Sequence, residues 1–329
     1  MSHIPIRLAL IGCKGNTALW RDIATRLKDA CFTVAVDSDD ALGKSMAEAI
    51  GASVVVDSFD TALMKHHGEF DAMVTNTSSS ELTPIALIAE ASQKHVILNA
   101  PGGDSLPAIE LLMDGDPQTK KDNYLAIRDT LRSTPSIQVI KERLDSGKLG
   151  SPSLLRVHRW RSINHDERAP LTNTLFADVD LALWLFNAKP TEVYALARGD
   201  RSADSTPDFI QIHFGFPEGG MALLDFSAAL PEGKGYDSLS LIGSTGAAYS
   251  DDHNNTHLLF NGGNPDALIS GQGKRHLALE IQGFVDAIIG ESPPPVGMGD
   301  CLRVHQVIEA IQRSLVAKQV LHDEGGNYV

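Results

Sequence analysis

Ile6-Arg7-Leu8-Ala9-Leu10-Ile11-Gly12-Cys13-Lys14-Gly15-Asn16-Thr17, IRLALIGCKGNT, is the stretch on which the fold turns. An apolar run, Ile6–Ile11, reads as a buried strand. A glycine turn follows, and then Leu19, Ile23, Leu27 and Ala30 recur at helical spacing, which predicts a helix over Thr17–Ala30. Strand, glycine turn and helix open a βαβ unit of the kind that holds a dinucleotide. Such a unit uses three glycine slots: one for the tight turn, one for backbone approach to the pyrophosphate, and one for close helix–strand packing. Here the slots fall on Gly12, Lys14 and Thr17, with Gly15 between them. The context is right and the fingerprint is damaged. Lys14 reads equally as a point charge for a phosphate or as a solvated turn residue that narrows the site.

The same grammar continues outward. Phe32–Asp37 predicts a second strand, Asp40–Ala52 a helix that stops near Gly51, and SVVVD a third strand. Phe70–Asn76 predicts a fourth strand, Thr83–Lys94 a helix and His95–Asn99 a fifth strand. Residues 102–122 look irregular, 113–123 read as a loop, and Tyr124–Ile127 reads as one more strand of the same sheet. Strands alternating with helices predict a parallel, doubly wound sheet. Asp37, at the tip of the second strand, has two readings: acceptor for the adenosine ribose hydroxyls, or turn acid capping the next helix. Ser38 follows instead of an arginine, so a bound dinucleotide would be NAD in preference to NADP. The segment ALGKS at 41–45 lacks the first glycine of a phosphate loop and is set aside.

After the helix predicted over Pro135–Gly150 the pattern changes. The runs SLLRVHRWR, EVYALAR, DFIQIHFGF, GMALLDFSAAL and DSLSLIGSTGAAYS follow one another with turns between, interrupted by one helix near Leu175–Phe186. Successive strands without crossover helices predict an antiparallel sheet and a second, α+β domain. Two late helices, Ala278–Ile289 and Asp300–Lys318, flank a proline-rich turn. The expected fold class is α/β: a Rossmann-like domain over 1–130 and an α+β domain with a large, mostly antiparallel sheet over 131–329.

Composition narrows the function. The chain has 329 residues, 43% hydrophobic and 21% charged, and a net charge of -14. That charge, with no basic stripe, argues against nucleic acid and anionic membrane as partners. The 3 cysteines, Cys13, Cys31 and Cys301, have neither disulfide-framework nor metal-ligand spacing. No signal peptide is read at the N-terminus and no run is long enough to span a bilayer; the expected location is cytoplasmic.

Taken together, IRLALIGCKGNTALW, the acid-tipped FTVAVDSDD, the run FDAMVTNTSSSELTPIALIAEASQKHVILNAP, the joining helix IKERLDSGKLGSP, DVDLALWLFNAKPTEVYAL and the last helix pair resemble, in order, the glucose–fructose oxidoreductase / inositol dehydrogenase / MocA (Gfo/Idh/MocA) family, as a divergent member. The resemblance implies an NAD(P)-dependent oxidoreductase acting on a sugar- or polyol-like small molecule, with Gly12, Lys14, Gly15, Asn16, Asp37, Thr77 and Pro101 at the cofactor. It also implies a homo-oligomer, dimer or tetramer, often joined through the outer face of the second sheet.

The chemistry expected of the family is altered. Its E-K-P tripeptide falls on Asn99-Ala100-Pro101, so the lysine position is Ala100. Its helix motif D-x-G-x-H-x-x-D falls on 173–180, so the aspartate position is Asn173, the glycine Leu175 and the histidine Ala177, while the last aspartate remains as Asp180. Alanine cannot move a proton and a neutral amide is a poor base, which argues against ordinary sugar or polyol dehydrogenation. His165, Asp178 and Asp180 are the substitute candidates. His158, Arg159, Trp160, Arg132 and the pair Asp166-Glu167 are further possibilities with structural readings of their own. His66-His67 reads as a solvated helix end, and His253 with His257 as turn residues rather than metal ligands; no metal is expected. Two functions stand: an oxidoreductase with altered chemistry, or a catalytically inactive homologue acting as a ligand-binding, regulatory or partner subunit. An NAD-dependent lyase or glycosidase on the same scaffold meets the same lack of a base.

Overall fold

The computed structural model describes residues 4–114, 124–128, 130–164, 168–199, 206–232, 235–251, 256–260, 266–269, 276–290 and 292–329. The chain divides into two compact units, 1–133 with 274–302, and 134–273 with 303–329.

The first unit opens with β1 (Ile6–Ile11), α1 (Thr17–Arg26), β2 (Ala30–Val36), α2 (Asp40–Ile50), β3 (Val54–Val56) and α3 (Phe59–His66). It continues with β4 (Ala72–Thr75), α4 (Ser79–Ala91), β5 (His95–Asn99), α5 (Leu106–Met113) and β6 (Leu125–Arg128). The six strands form one parallel sheet in the order β3-β2-β1-β4-β5-β6, as the alternating pattern predicts. Its middle strands are apolar on both faces because helices cover both; Leu8, Leu10, Val34, Ala72, Val74 and Ile97 are buried.

Several helix ends differ from the sequence reading. α1 stops at Arg26, because Leu27 turns extended, Asp29 takes φ 54° and Ala30 pairs with Ile6 in the sheet. Its core face is therefore Trp20 and Ile23 rather than a stripe running to Ala30. α4 starts at Ser79, ahead of Thr83, where Glu81 accepts from the Ser78 amide at 3.1 Å and from Ser78 Oγ at 2.8 Å. α5 lies in the stretch that looks irregular, with Pro107 in its first turn, where a missing N–H costs nothing.

The second unit holds α6 (Pro135–Asp145), β7 (Pro152–Trp160), α7 (Leu171–Phe186), β8 (Glu192–Arg198), β9 (Phe209–Gly215), β10 (Met221–Ser227) and β11 (Tyr236–Gly243). β12 (Ala247–Asp251), β13 (Thr256–Phe260) and β14 (Asp266–Ile269) follow. After α8 (His276–Ile288) and α9 (Met298–Ala317), β15 (Leu321–Glu324) and β16 (Asn327–Tyr328) end the chain. The second sheet has ten strands in the order β14-β13-β12-β11-β7-β10-β9-β8-β15-β16. It is antiparallel except for the β7–β10 pair. α7 buries Phe176, Val179 and Leu183, and on the strands Leu155, Val157, Leu224 and Phe226 alternate inward.

α8 departs from the division at 130/131. Its apolar stripe, Leu277, Ala278, Ile281 and Phe284, joins the core of Leu8, Leu10, Trp20 and Phe32. Its Glu280, 1% exposed, accepts from the Thr130 amide at 2.8 Å and Thr130 Oγ1 at 2.9 Å. The first unit is thus completed by a segment far along the chain, and the boundary between the units falls inside α9.

Among the described residues no helix is long and apolar enough to cross a membrane.

Candidate functional site

The order β3-β2-β1-β4-β5-β6 changes direction between β1 and β4. In an open parallel sheet that switch point leaves a crevice beyond the carboxyl ends of the strands, where ligands bind. Gly12 ends β1 there with φ 90°. A Cβ at Gly12 would collide with the Asn76 carbonyl oxygen and come within 2.9 Å of the Asn76 carbonyl carbon and of Thr77 Cγ2. The turn is pinned from several sides. Gly12 N–H donates to Val36 O at 2.9 Å, Asn76 N–H to Ile11 O at 2.7 Å and Asn76 Nδ2 to Lys14 O at 2.7 Å. Gly15, at φ 117°, has open space around it.

Asn16 caps α1, its side-chain oxygen accepting from the amides of Ala18 at 2.9 Å and Leu19 at 3.2 Å. Among the described residues the amides of Lys14, Gly15 and Asn16 donate to no protein acceptor. Unpaired amides at the start of a helix, where the helix dipole is positive, suit an anion such as a pyrophosphate. The Lys14 side chain is exposed, so the residue in the second glycine slot does not fill the crevice from inside the fold.

Asp37 does more than the sequence assigns it. Its Oδ2 accepts from Cys13 N–H at 2.7 Å and its Oδ1 from Asp39 N–H at 2.9 Å. The cap of α2 is Asp39, not Asp37. A carboxylate has about four acceptor directions, so two remain for the vicinal hydroxyls of a ribose. Burial pushes the neighbouring Cys13 thiol up to about 12, and the Asp37 charge adds to the rise.

Thr77 stands opposite Gly12, and its Oγ1 is buried without a hydrogen-bond partner among the described residues. A buried polar atom of that kind normally meets a partner, and a ligand in the crevice would provide one. Gly12, Lys14, Gly15, Asn16, Asp37 and Thr77 therefore converge on one edge. The amide contacts, the forced glycine and the orphaned hydroxyl fit a dinucleotide.

Three residues missed from the sequence hold this edge. Asn99 Oδ1 accepts from Thr75 Oγ1 at 2.8 Å and Thr77 N–H at 3.2 Å, while its Nδ2 donates to Thr77 O at 3.0 Å. The residue in the family's glutamate position thus ties β5 to β4. Arg128, 2% exposed, donates from Nη2 to Thr75 O at 2.7 Å and to Asn76 Oδ1 at 3.2 Å, and lies over the Trp20 ring. The third is Asn76 itself. The available signal was a polar residue ending each core strand. Pro101 follows a cis peptide bond from Ala100 and is buried, its carbonyl accepting from Cys301 Sγ at 3.4 Å.

In the second unit, Asn173 and Ala177 are partly exposed on α7, and Leu175 is buried at 2%. Asp180 is fully buried. Asp178 is 7% exposed and faces the inner side of β7, where Arg159 Nε approaches its Oδ1 to 3.1 Å. Beside them Arg161 pairs with Asp237 on β11. Burial pushes the Asp178 carboxyl above the usual range; Arg159 opposes this and Asp237 adds to it.

His158 is on the other face of β7, with Nδ1 2.9 Å from Ser238 Oγ and its ring against Trp160 and Tyr236. It does not join Arg159 and Asp178. Arg132 pairs with Asp300 at 3.3 Å, and His66 with Glu69 at 2.8 Å. His165, Asp166, Glu167 and His253 lie outside the described residues, as does the His257 side chain. No cluster that could hold a metal is found among the described residues.

A wound parallel unit joined to a large, mostly antiparallel sheet defines the class: a two-unit α/β protein with a crevice at its switch point. Residues 137–249 match the GFO/IDH/MocA C-terminal domain model. No curated protein sequence matches the chain. Many solved structures share the fold, among them the following three. An oxidoreductase from Agrobacterium radiobacter in complex with NAD+, L-tartaric acid and magnesium is 16% identical over 96% of this chain and 98% of that one, with a TM-score of 0.85. GenD2 from gentamicin A biosynthesis, in complex with NAD, is 20% identical over 98% of each chain, with a TM-score of 0.81. UDP-N-acetylglucosamine 3-dehydrogenase GnnA from Acidithiobacillus ferrooxidans is 20% identical over 95% of this chain and 99% of that one, also with a TM-score of 0.81.

Proposed function

We propose that this chain binds a nicotinamide dinucleotide at the carboxyl edge of its parallel sheet, prefers NAD to NADP, and is an oxidoreductase that does not run base-assisted oxidation of a sugar or polyol alcohol. The observation that carries the reading is the turn at Gly12. No side chain fits there, the amides of Lys14, Gly15 and Asn16 donate to no protein acceptor among the described residues, and the unsatisfied Thr77 hydroxyl stands opposite. The Lys14–Asn16 amides and the start of α1 would hold the pyrophosphate. Asp37 would take the ribose hydroxyls and repel a 2′-phosphate. Bound there, the group supplies hydride transfer. The complexes of the Agrobacterium oxidoreductase and of GenD2 with NAD support the same assignment.

A specific observation favours a second reading. Ala100, Asn173 and Ala177 leave no titratable group at the three positions where the family keeps its lysine, aspartate and histidine. On this reading the chain keeps the fold as a ligand-binding, regulatory or partner subunit. Titration with NADH and NADPH, by fluorescence or calorimetry, tests the first reading. Saturable micromolar binding of NADH, weaker for NADPH, is its expected result. No binding at millimolar cofactor would sink it and leave the second.

The ligand of the second unit is a small molecule of sugar or polyol character, and the chain assembles as a homo-oligomer. Exposed Leu196, Phe209 and Met221 on the second sheet support the latter. Light scattering that gives a monomer mass at micromolar concentration would refute it.

A further inference from the structure

We propose that Asn76, oriented by buried Arg128, is the positioning residue that makes Lys14 acceptable in the second glycine slot: it turns the Lys14–Gly15 peptide so that the Gly15 N–H faces outward, where a pyrophosphate would lie. The proposal rests on the dinucleotide reading above and lies wholly within the first unit.

A glycine in the second slot serves the close approach of backbone to the pyrophosphate. A side chain is tolerated there when its residue needs no left-handed φ and its carbonyl is turned into the fold. At this edge the positive φ values fall on Gly12, at 90°, and Gly15, at 117°, and Lys14 takes none. The left-handed demand has moved one residue along, to Gly15, where the missing Cβ meets it at no steric cost. Lys14, Gly15 and Asn16 are exposed, so the turn presents an open face.

The carbonyls of this turn are held by a relay that starts three strands away. Arg128 ends β6 and reaches past β5 to the end of β4. Its Nε and Nη2 donate to Thr75 O at 3.0 Å and 2.7 Å, and Nη2 also donates to Asn76 Oδ1 at 3.2 Å. A guanidinium has no acceptor, so the Asn76 atom that faces it is the oxygen, and the other end of the amide is thereby fixed. Asn76 Nδ2 donates to Lys14 O at 2.7 Å and to Gly12 O at 3.4 Å. The reversed amide would set donor against donor at Arg128 and acceptor against acceptor at Lys14.

A trans peptide points its C=O and its N–H in opposite directions. Holding Gly12 O therefore turns the Cys13 N–H the other way, where it donates to Asp37 Oδ2 at 2.7 Å. Holding Lys14 O does the same for the Gly15 N–H. That amide donates to no protein acceptor among the described residues, and nothing lies within 4 Å of a Cβ built on Gly15. One side chain thus sets two peptides of the turn, the first toward the ribose acid and the second toward the phosphate position.

Amide exchange in the cofactor-free protein tests the relay directly. The chain has 3 cysteines, so isotope-labelled cysteine gives three amide signals, and Cys13→Ala identifies the one from Cys13. Asn76→Ala should speed exchange of the Cys13 amide about 10-fold while the Cys301 amide stays as it is. A Cys13 rate that Asn76→Ala leaves unchanged overturns the proposal.

A double-variant cycle on NADH binding tests the role toward the cofactor. Asn76→Ala and Arg128→Met should each raise the NADH Kd about 5- to 10-fold. The double variant should lose no more than Asn76→Ala alone, because Arg128 acts through Asn76. A general loosening of the fold would make the two losses multiply, and that result overturns the relay, as does an unchanged Kd in Asn76→Ala. Circular dichroism checks that each variant is folded. Where Arg128→Met is not, Arg128→Lys, which keeps the cation and loses the planar fork, takes its place in the cycle. A wild type that binds no NADH overturns the cofactor role by way of the dinucleotide reading. Cys13 exchange needs no cofactor, so it tells that failure apart from a failure of the relay.

Discussion

Gly12→Ala is the sharpest perturbation of the cofactor edge, because two separate costs can be worked from the structure. The first is conformational. At φ 90° an L-residue sits on the left-handed side of the map, a cost of about 1–2 kcal/mol. The second is steric. The added methyl would meet the backbone carbonyl of Asn76 and the methyl of Thr77, not the end of a flexible side chain. Asn76 cannot recede cheaply, since its amide donates to Ile11 O at 2.7 Å and its Oδ1 accepts from Arg128 at 3.2 Å. Overpacking of that kind costs about 1–3 kcal/mol more. Gly15→Ala is the internal control: φ is 117°, yet nothing lies within 4 Å of the new Cβ, so only the backbone cost applies. The assay is denaturant unfolding followed by Trp20 fluorescence, in a background with Trp160 and Trp184 changed to Phe. Gly12→Ala should be less stable than Gly15→Ala by about 1–3 kcal/mol. It should also weaken NADH binding in the folded protein, because relieving the clash moves the turn off the pyrophosphate position. Equal stability of the two variants would refute the close-approach argument.

Other outcomes follow from the same edge. Asp37→Ala should cost about 1–3 kcal/mol by stranding the Cys13 and Asp39 amides, and should narrow the ratio of NADPH to NADH dissociation constants; an unchanged ratio would remove Asp37 from cofactor choice. Thiol labelling at pH 8 should modify exposed Cys31 and spare buried Cys13 and Cys301 until the protein unfolds, with the sites read by peptide mass. The Cys13 thiol is raised to about 12 in the folded chain, so its contribution to stability is present in the thiol form and is lost as pH climbs from about 9 toward 12. Cys13→Ala should flatten that part of the pH–stability curve, and an unaltered slope would count against the shift. Restoring the family groups with Ala100→Lys, Asn173→Asp and Ala177→His should produce NAD-linked polyol oxidation, measured as NADH formation. A folded, NADH-binding triple variant that forms none would show that these positions do not limit the chemistry.

The parts of the molecule visible in its sequence are those written in local pattern. The run at Ile6–Ile11, the alternation of strands and helices to Asn99, and the strand-after-strand grammar beyond Pro152 each reflect burial with a fixed period, and the two sheets form as that pattern requires. What stayed hidden depends on contacts between residues far apart in the chain. α8 belongs with the first unit because its apolar stripe fits against Leu8 and Trp20, and no periodicity says which core a stripe will join. Asn99 looks like the loss of a glutamate until its side chain is seen bonding Thr75 and Thr77. Asp178 is one residue from the empty histidine position, and only the packing of α7 on β7 reveals that it faces Arg159 rather than solvent. The same distinction bears on function. A motif read along the chain records which family groups are missing, whereas acid chemistry depends on burial and neighbouring charge, which are properties of the fold. Substitution at Ala100, Asn173 and Ala177 therefore removes one way of moving a proton without removing every titratable group from the second unit, and cofactor binding at the Gly12 edge is the measurable quantity on which the choice between an oxidoreductase and a silent homologue turns.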